Sequence, residues 1–101
     1  MAETDTKTRP KAKPKTERPK LWKVILLNDD YTPREFVVIV LASVFGMGPE
    51  KAHQVMITAH RKGSCVVAVF TKEVAETKAA QATDAGAAAG FPLTFTTERE
   101  D

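Results

Sequence analysis

Asn28, Asp29 and Asp30 stand in one run, an amide followed by two carboxylates. All three are strong acceptors with short side chains, and a rigid cluster of them suits a cationic or hydrogen-bond-rich ligand group. Further along, His60 lies at the edge of an apolar helical stripe. A neutral imidazole there can accept a hydrogen bond while its ring closes a hydrophobic wall. Each feature has a bland explanation by itself. Acidic residues ahead of a helix favour its dipole, and a histidine on a helix edge is commonly structural.

Placement raises the acidic run above that explanation. It fills the corner between an apolar strand, Val24 to Leu27, and a strongly marked helix start. Thr32 can cap that helix, Pro33 suits its first position, and Glu35 follows the cap by the interval a capping box requires.

Other chemistry is poorly served. His53 and His60 are seven residues apart on one helix, roughly 10 Å along its axis, too far to share a zinc ion. Ser43 and Ser64 have no histidine nearby in sequence to activate them. Gly46-Met47-Gly48 is too short for a phosphate cradle and reads as a turn between helices. Cys65 is the single cysteine and lies in an apolar run, so it reads as a buried, inert thiol and no internal disulfide can form. No metal, cofactor or catalytic group is expected, and an enzyme is not the reading.

The chain has 101 residues, enough for one small domain. Its charge is unevenly spread. Residues 1–20 hold seven basic and three acidic side chains, net +4, with Pro10, Pro14 and Pro19. Such a segment cannot bury enough surface to offset ordering entropy and is expected to be a disordered extension. Residues 21–101 carry eight basic and ten acidic groups, net −2, so a nucleic-acid reading would rest on the tail alone. The absence of a secretory apolar region or long apolar span, with one cysteine, points to a reducing cytoplasm and to no membrane contact.

The elements that must position the corner follow from patterning. Trp22 to Leu27 reads as a strand. Residues 33–45 are rich in Val and Ile, but the cap and Gly46 argue for a helix, with Phe36, Ile39, Val40 and Ser43 on its inner face. A second helix runs from near Pro49 to Gly63, its stripe Ala52, Val55, Met56 and Ala59. Ser64 to Thr71 is an almost continuous apolar run, expected as a buried strand. Thr71 can cap a third helix, Lys72 to about Ala85, frayed by the Ala/Gly stretch after it. Phe91-Pro92 turns into a last strand, Leu93 to Thr97, alternating apolar and polar. The expected fold is α+β, order β-α-α-β-α-β. It is a two-layer sandwich with a three-stranded antiparallel sheet and three helices on one face.

Lys23 to Pro33 followed by Glu35-Phe36-Val37, then Ala52 to His60, Val69 to Lys78, and Pro92-Leu93 resemble, in order and spacing, the Clp protease adaptor ClpS family. The resemblance covers about residues 20–97 and implies a ClpS-like substrate-binding domain over 21–101. It implies a non-catalytic adaptor for proteins that begin with Phe, Tyr, Trp or Leu, which passes them to the N-terminal domain of a Clp-family AAA+ unfoldase. By that resemblance Asn28, Asp30 and His60 hold the substrate's free α-amino group, with Asp29 in support. Thr32, Val37, Met56 and Leu93 line the side-chain pocket. Glu73, Glu76 and Lys78 fall where the family docks on the unfoldase. A monomer is expected, and the tail corresponds to the segment the family uses during delivery. Two pocket positions depart from the family pattern: Arg34 replaces a methionine that excludes β-branched first residues, and Ala59 replaces a valine.

Two other classes compete. An RNA- or ribosome-associated module would use the basic tail and show steep salt dependence. A hydrolase would need Asp30 and His60 as an acid–base pair and measurable turnover.

Overall fold

The computed structural model describes residues 18–101. The expected disordered extension over residues 1–20 therefore falls mostly outside the described residues. Six elements follow in the order β-α-α-β-α-β: β1 Leu21–Leu27, α1 Arg34–Phe45, α2 Pro49–Lys62, β2 Ser64–Thr71, α3 Lys72–Ala88 and β3 Thr94–Arg99. The sheet has three strands in the order β2-β1-β3, with β1 antiparallel to both neighbours. The α+β class and the element order match the sequence expectation.

β1 is central because it can fill both faces. Val24 and Leu26 are buried under the helices, while Leu21, Lys23, Ile25 and Leu27 alternate onto the other side. The apolar run of β2 is not a buried strand. β2 is an edge strand, and Val66 and Val69 are exposed on the outer face. A bulge explains why a continuous apolar run was needed. The β1–β2 register shifts between Val24 and Ile25, pairing Val24 with Ala68 and Ile25 with Val66. Val67 is the extra residue and turns inward, where it is buried.

The α1 face also differs from expectation. Val37, Val40 and Leu41 are the buried residues, Phe36 is half-buried, Ser43 is exposed and Ile39 is 59% exposed. On α2 the stripe Ala52, Val55, Met56 and Ala59 is buried as the spacing requires. Gly46, at φ +69°, ends α1, and Gly63, at φ +94°, ends α2, both in the left-handed region that favours glycine.

α3 runs three residues beyond its expected end, to Ala88. Its buried face is made of small residues, Ala75, Ala79, Ala82 and Gly86. That face lets the helix lie close on the sheet. Gly86 does not fray the helix. Its carbonyl accepts from Phe91 N–H at 2.8 Å, and Gly90 N–H donates to Ala87 at 3.0 Å, which closes the end as a Schellman motif around Gly90. A Cβ on Gly86 would lie 2.7 Å from the Leu93 Cβ, so the missing methyl is what admits Leu93. Phe36 meets Phe91 edge-on at 5.0 Å, tying this turn to α1. Thr83 Oγ1 accepts from Phe95 N–H at 3.0 Å and donates to Phe95 O at 3.3 Å, which pins β3 to α3.

Gly86→Ala is expected to lower stability. Overpacking against Leu93 costs about 1–3 kcal/mol, offset by about 1 kcal/mol of helix propensity. Urea unfolding of the two chains measures the balance. A raised midpoint would show that Leu93 moves aside at no cost.

Candidate functional site

The corner after β1 is held by one carboxylate. Asp29 Oδ1 accepts the backbone N–H of Tyr31 at 2.8 Å and of Thr32 at 2.7 Å. The Thr32 hydroxyl closes the same turn, 3.0 Å from Oδ1 and 2.9 Å from Oδ2. The expected capping box does not form. The residue at the helix cap is Pro33, with no side-chain cap bond, and the Pro33 carbonyl accepts from Phe36 and Val37. Thr32 is buried, and its hydroxyl is turned back to Asp29. The physical reason is competition: a charged carboxylate three residues upstream is a better partner for Thr32 than the neutral N–H groups of the first helical turn.

Asn28 N–H donates to Gly63 O at 3.0 Å. This single bond ties the corner to the end of α2, and His60 lies in the last turn of that helix. The loop residues, α1, α2 and Leu93 then surround one cavity of about 280 Å³. Asn28, Asp29, Asp30, Thr32, Arg34, Val37, Met56, Ala59, His60 and Leu93 all line it. Leu26, Leu27, Tyr31 and Pro33 complete the wall. Sequence reasoning left out these four. Leu26 could have been found from strand alternation, since it shares the inner face with Val24. Tyr31, 81% exposed, carries no such signal.

The two ends of the cavity differ. Asn28, Asp29 and Asp30 form an acceptor-rich rim. Val37, Met56, Ala59 and Leu93, all buried, form an apolar floor. Arg34 is exposed at the edge of the cavity. Its Nη2 lies 3.3 Å from His60 Nε2. A guanidinium has donors only, so Nε2 is the unprotonated, accepting nitrogen of the imidazole in this arrangement. A cation thus occupies the acceptor that His60 presents to the cavity.

Glu73, Glu76 and Lys78 are not part of this cavity. Glu73 and Glu76 are exposed on the first turns of α3. Lys78 is half-buried, and its Nζ donates to Val44 O at 2.9 Å, so it supplies the cation that the C-terminus of α1 lacks in its own last turn. Cys65 is half-buried rather than enclosed. Burial pushes its thiol above the ordinary value, against the lowering influence of Lys51 and Lys62, which keeps it in the unreactive form. No group of three or more metal-ligating side chains occurs among the described residues. No described helix is long and apolar enough to cross a membrane.

Residues 17–96 match the family model described as ATP-dependent Clp protease adaptor protein ClpS. The chain belongs to the ClpS family. It is similar over its full length to ClpS 2 of Mesorhizobium japonicum, at 67% identity with all of both chains covered. It is 61% identical to ClpS 1 of Bradyrhizobium diazoefficiens, again over all of both chains. Among solved structures it is similar to Agrobacterium tumefaciens ClpS2 bound to L-phenylalaninamide. The TM-score is 0.81 at 64% identity, over 82% of this chain and 100% of that one. As a ClpS adaptor the chain is not a catalyst. It delivers N-end-rule substrates to the Clp protease.

Asp29→Ala is expected to loosen the corner and cost about 1.5–3 kcal/mol, the range for hydrogen bonds to a charged group. Thr32→Val should cost less, and the double substitution should cost less than the sum, because both remove the same bonds. Denaturant unfolding of the four chains tests this. Additive costs would mean that the two residues are not coupled.

Proposed function

We propose that the cavity receives the first residue of the substrate protein. Its bulky apolar side chain, from Phe, Tyr, Trp or Leu, packs against Val37, Met56, Ala59 and Leu93. Its free α-amino group meets Asn28, Asp30 and His60. The observation that carries this reading is the pairing, within one cavity, of an acceptor-rich rim with an apolar floor. Burying such a side chain contributes about 1.5–3 kcal/mol. An ammonium drawn out of water needs an acceptor for each donor, or it costs more than the burial gains. An amide, a carboxylate and a neutral imidazole supply three. Asp29 acts from behind, because its oxygens are engaged by Tyr31 and Thr32. The ligand of the Agrobacterium protein, L-phenylalaninamide, combines the same two features, a free amine and an apolar ring.

Arg34 gives this chain's cavity its own character. It competes with the incoming ammonium for the His60 lone pair, so binding requires the guanidinium to move. Ala59, in place of a larger wall residue, leaves room for the largest rings. Delivery engages a Clp-family AAA+ unfoldase through its N-terminal domain, with Glu73, Glu76 and Lys78 as docking residues. The adaptor acts as a monomer in the cytoplasm. The RNA- or ribosome-binding reading draws no support from the folded part, whose distinctive feature is this cavity.

Acetylating the amine of a Phe-first peptide is expected to abolish measurable binding in a fluorescence-anisotropy titration. Asn28→Ala, Asp30→Ala and His60→Ala should each weaken the free-amine peptide by about 1–3 kcal/mol. Equal affinity for free and acetylated peptides would end the reading.

Arg34→Met is expected to tighten binding of Phe-first peptides and to sharpen discrimination against Ile and Val. The same anisotropy titration on the native chain and on Arg34→Met measures both effects. An unchanged affinity and an unchanged ranking of first residues would show that Arg34 does not stand in the way of the ammonium.

A further inference from the structure

Beside the cavity lies a second depression that its chemistry does not use. It is a groove of about 520 Å³ between α1 and α2, lined by Arg34, Glu35, Val38, Ile39, His53 and Met56. Arg34 and Met56 belong to both spaces, so one ridge of side chains separates them. Ile39 is 59% exposed at its edge, an apolar side chain in mid-helix that the core does not claim. Val38 is half-buried beside it.

The groove continues along α2 from the cavity. His60, Met56 and His53 follow one another along α2 at intervals of four and three residues. They mark a line of about 6 Å from His60 to Met56 and about 10 Å from His60 to His53. An amine held at His60 fixes the start of the substrate, and the chain must leave away from it. In an extended chain the first and third side chains point to the same face, about 6.6 Å apart. That spacing is enough to reach past the Arg34–Met56 ridge for a chain that runs along α2 from His60.

We propose that the groove is a subsite for the third residue of the substrate, and that it favours an apolar side chain such as Leu, Met or Val. This rests on the reading of the cavity as the first-residue pocket. The apolar contacts are Val38, Ile39, Met56 and the aliphatic stem of Arg34, whose charged end stays at the rim. Once displaced from His60, that guanidinium lies over the groove and covers the third side chain. The second side chain points to solvent and contributes little.

The test is a fluorescence-anisotropy series of Phe-first peptides varied at the second or third position to Leu, Ser or Asp, on the native chain and on Ile39→Ser. Leu at position three is expected to bind on the order of threefold to tenfold tighter than Ser, as partial burial of an apolar side chain gives. Ile39→Ser should remove most of that preference and leave Phe-Ala-Ala peptides within about twofold of the native affinity. Ile39 is too exposed for its loss to unfold the chain, and an unchanged far-UV circular dichroism spectrum checks this. Equal affinities across position three would overturn the subsite, as would a preference confined to position two or one that survives in Ile39→Ser. The first-residue reading is judged separately, by the free and acetylated Phe-Ala-Ala pair. If those two bind alike, that reading falls and the subsite falls with it.

Discussion

The Asp29 carboxylate takes two backbone N–H groups and the Thr32 hydroxyl into one turn, and the cavity is built on that turn. It sets the direction in which Asn28 and Asp30 face the cavity. It delivers the chain to Pro33 at the angle from which α1 begins, and so places Arg34 and Val37 on the cavity wall. A carboxylate acting this way is spent on structure. The neighbouring Asp30 makes no such bond among the described residues and lines the cavity. Two adjacent residues of the same type thus differ in surroundings, one bound into the turn and one on the cavity rim.

The rest of the fold brings apolar surface to that corner. Asn28 is clamped to Gly63, so the end of α2 and its His60 are carried by the same bond that fixes the strand end. From the other side, the small-residue face of α3 lets Leu93 descend into the space a Gly86 side chain would fill. The cavity floor therefore depends on a glycine that does not itself line the cavity. Cavity and core share Val37, Met56, Ala59 and Leu93, which means the pocket is an unfilled end of the hydrophobic core. An apolar side chain entering it extends the core by one residue.

Much of this was legible in the sequence, and the failures have physical causes. The α2 stripe could be read because apolar residues alternate there with Glu, Lys, His and Gln, giving the period contrast. α1 runs Phe-Val-Val-Ile-Val-Leu from Phe36 to Leu41, with no polar residue to mark the outer side, so spacing alone does not tell the Phe36 face from the Val37 face. The capping pattern at Thr32 was real as a pattern, but it ignored a charged competitor upstream. The apolar run of β2 looked like a strand buried on both sides. It is an edge strand whose bulge turns Val67 inward while Val66 and Val69 face out. The contact between Arg34 and His60 joins residues 26 apart, and no local spacing could reveal it. The cavity gathers residues 28–30 of the corner with His60 of α2 and Leu93, positions far apart in the chain that only the resemblance links in advance.

The most direct measurement is a backbone and side-chain chemical-shift map of the chain titrated with L-phenylalaninamide. The account predicts the largest shifts at Asn28, Asp30, Val37, Met56, His60 and Leu93, with the Arg34 guanidinium signal changing as it leaves the imidazole. Shifts confined to α3 or to the outer face of the sheet, with the cavity residues unmoved, would contradict it.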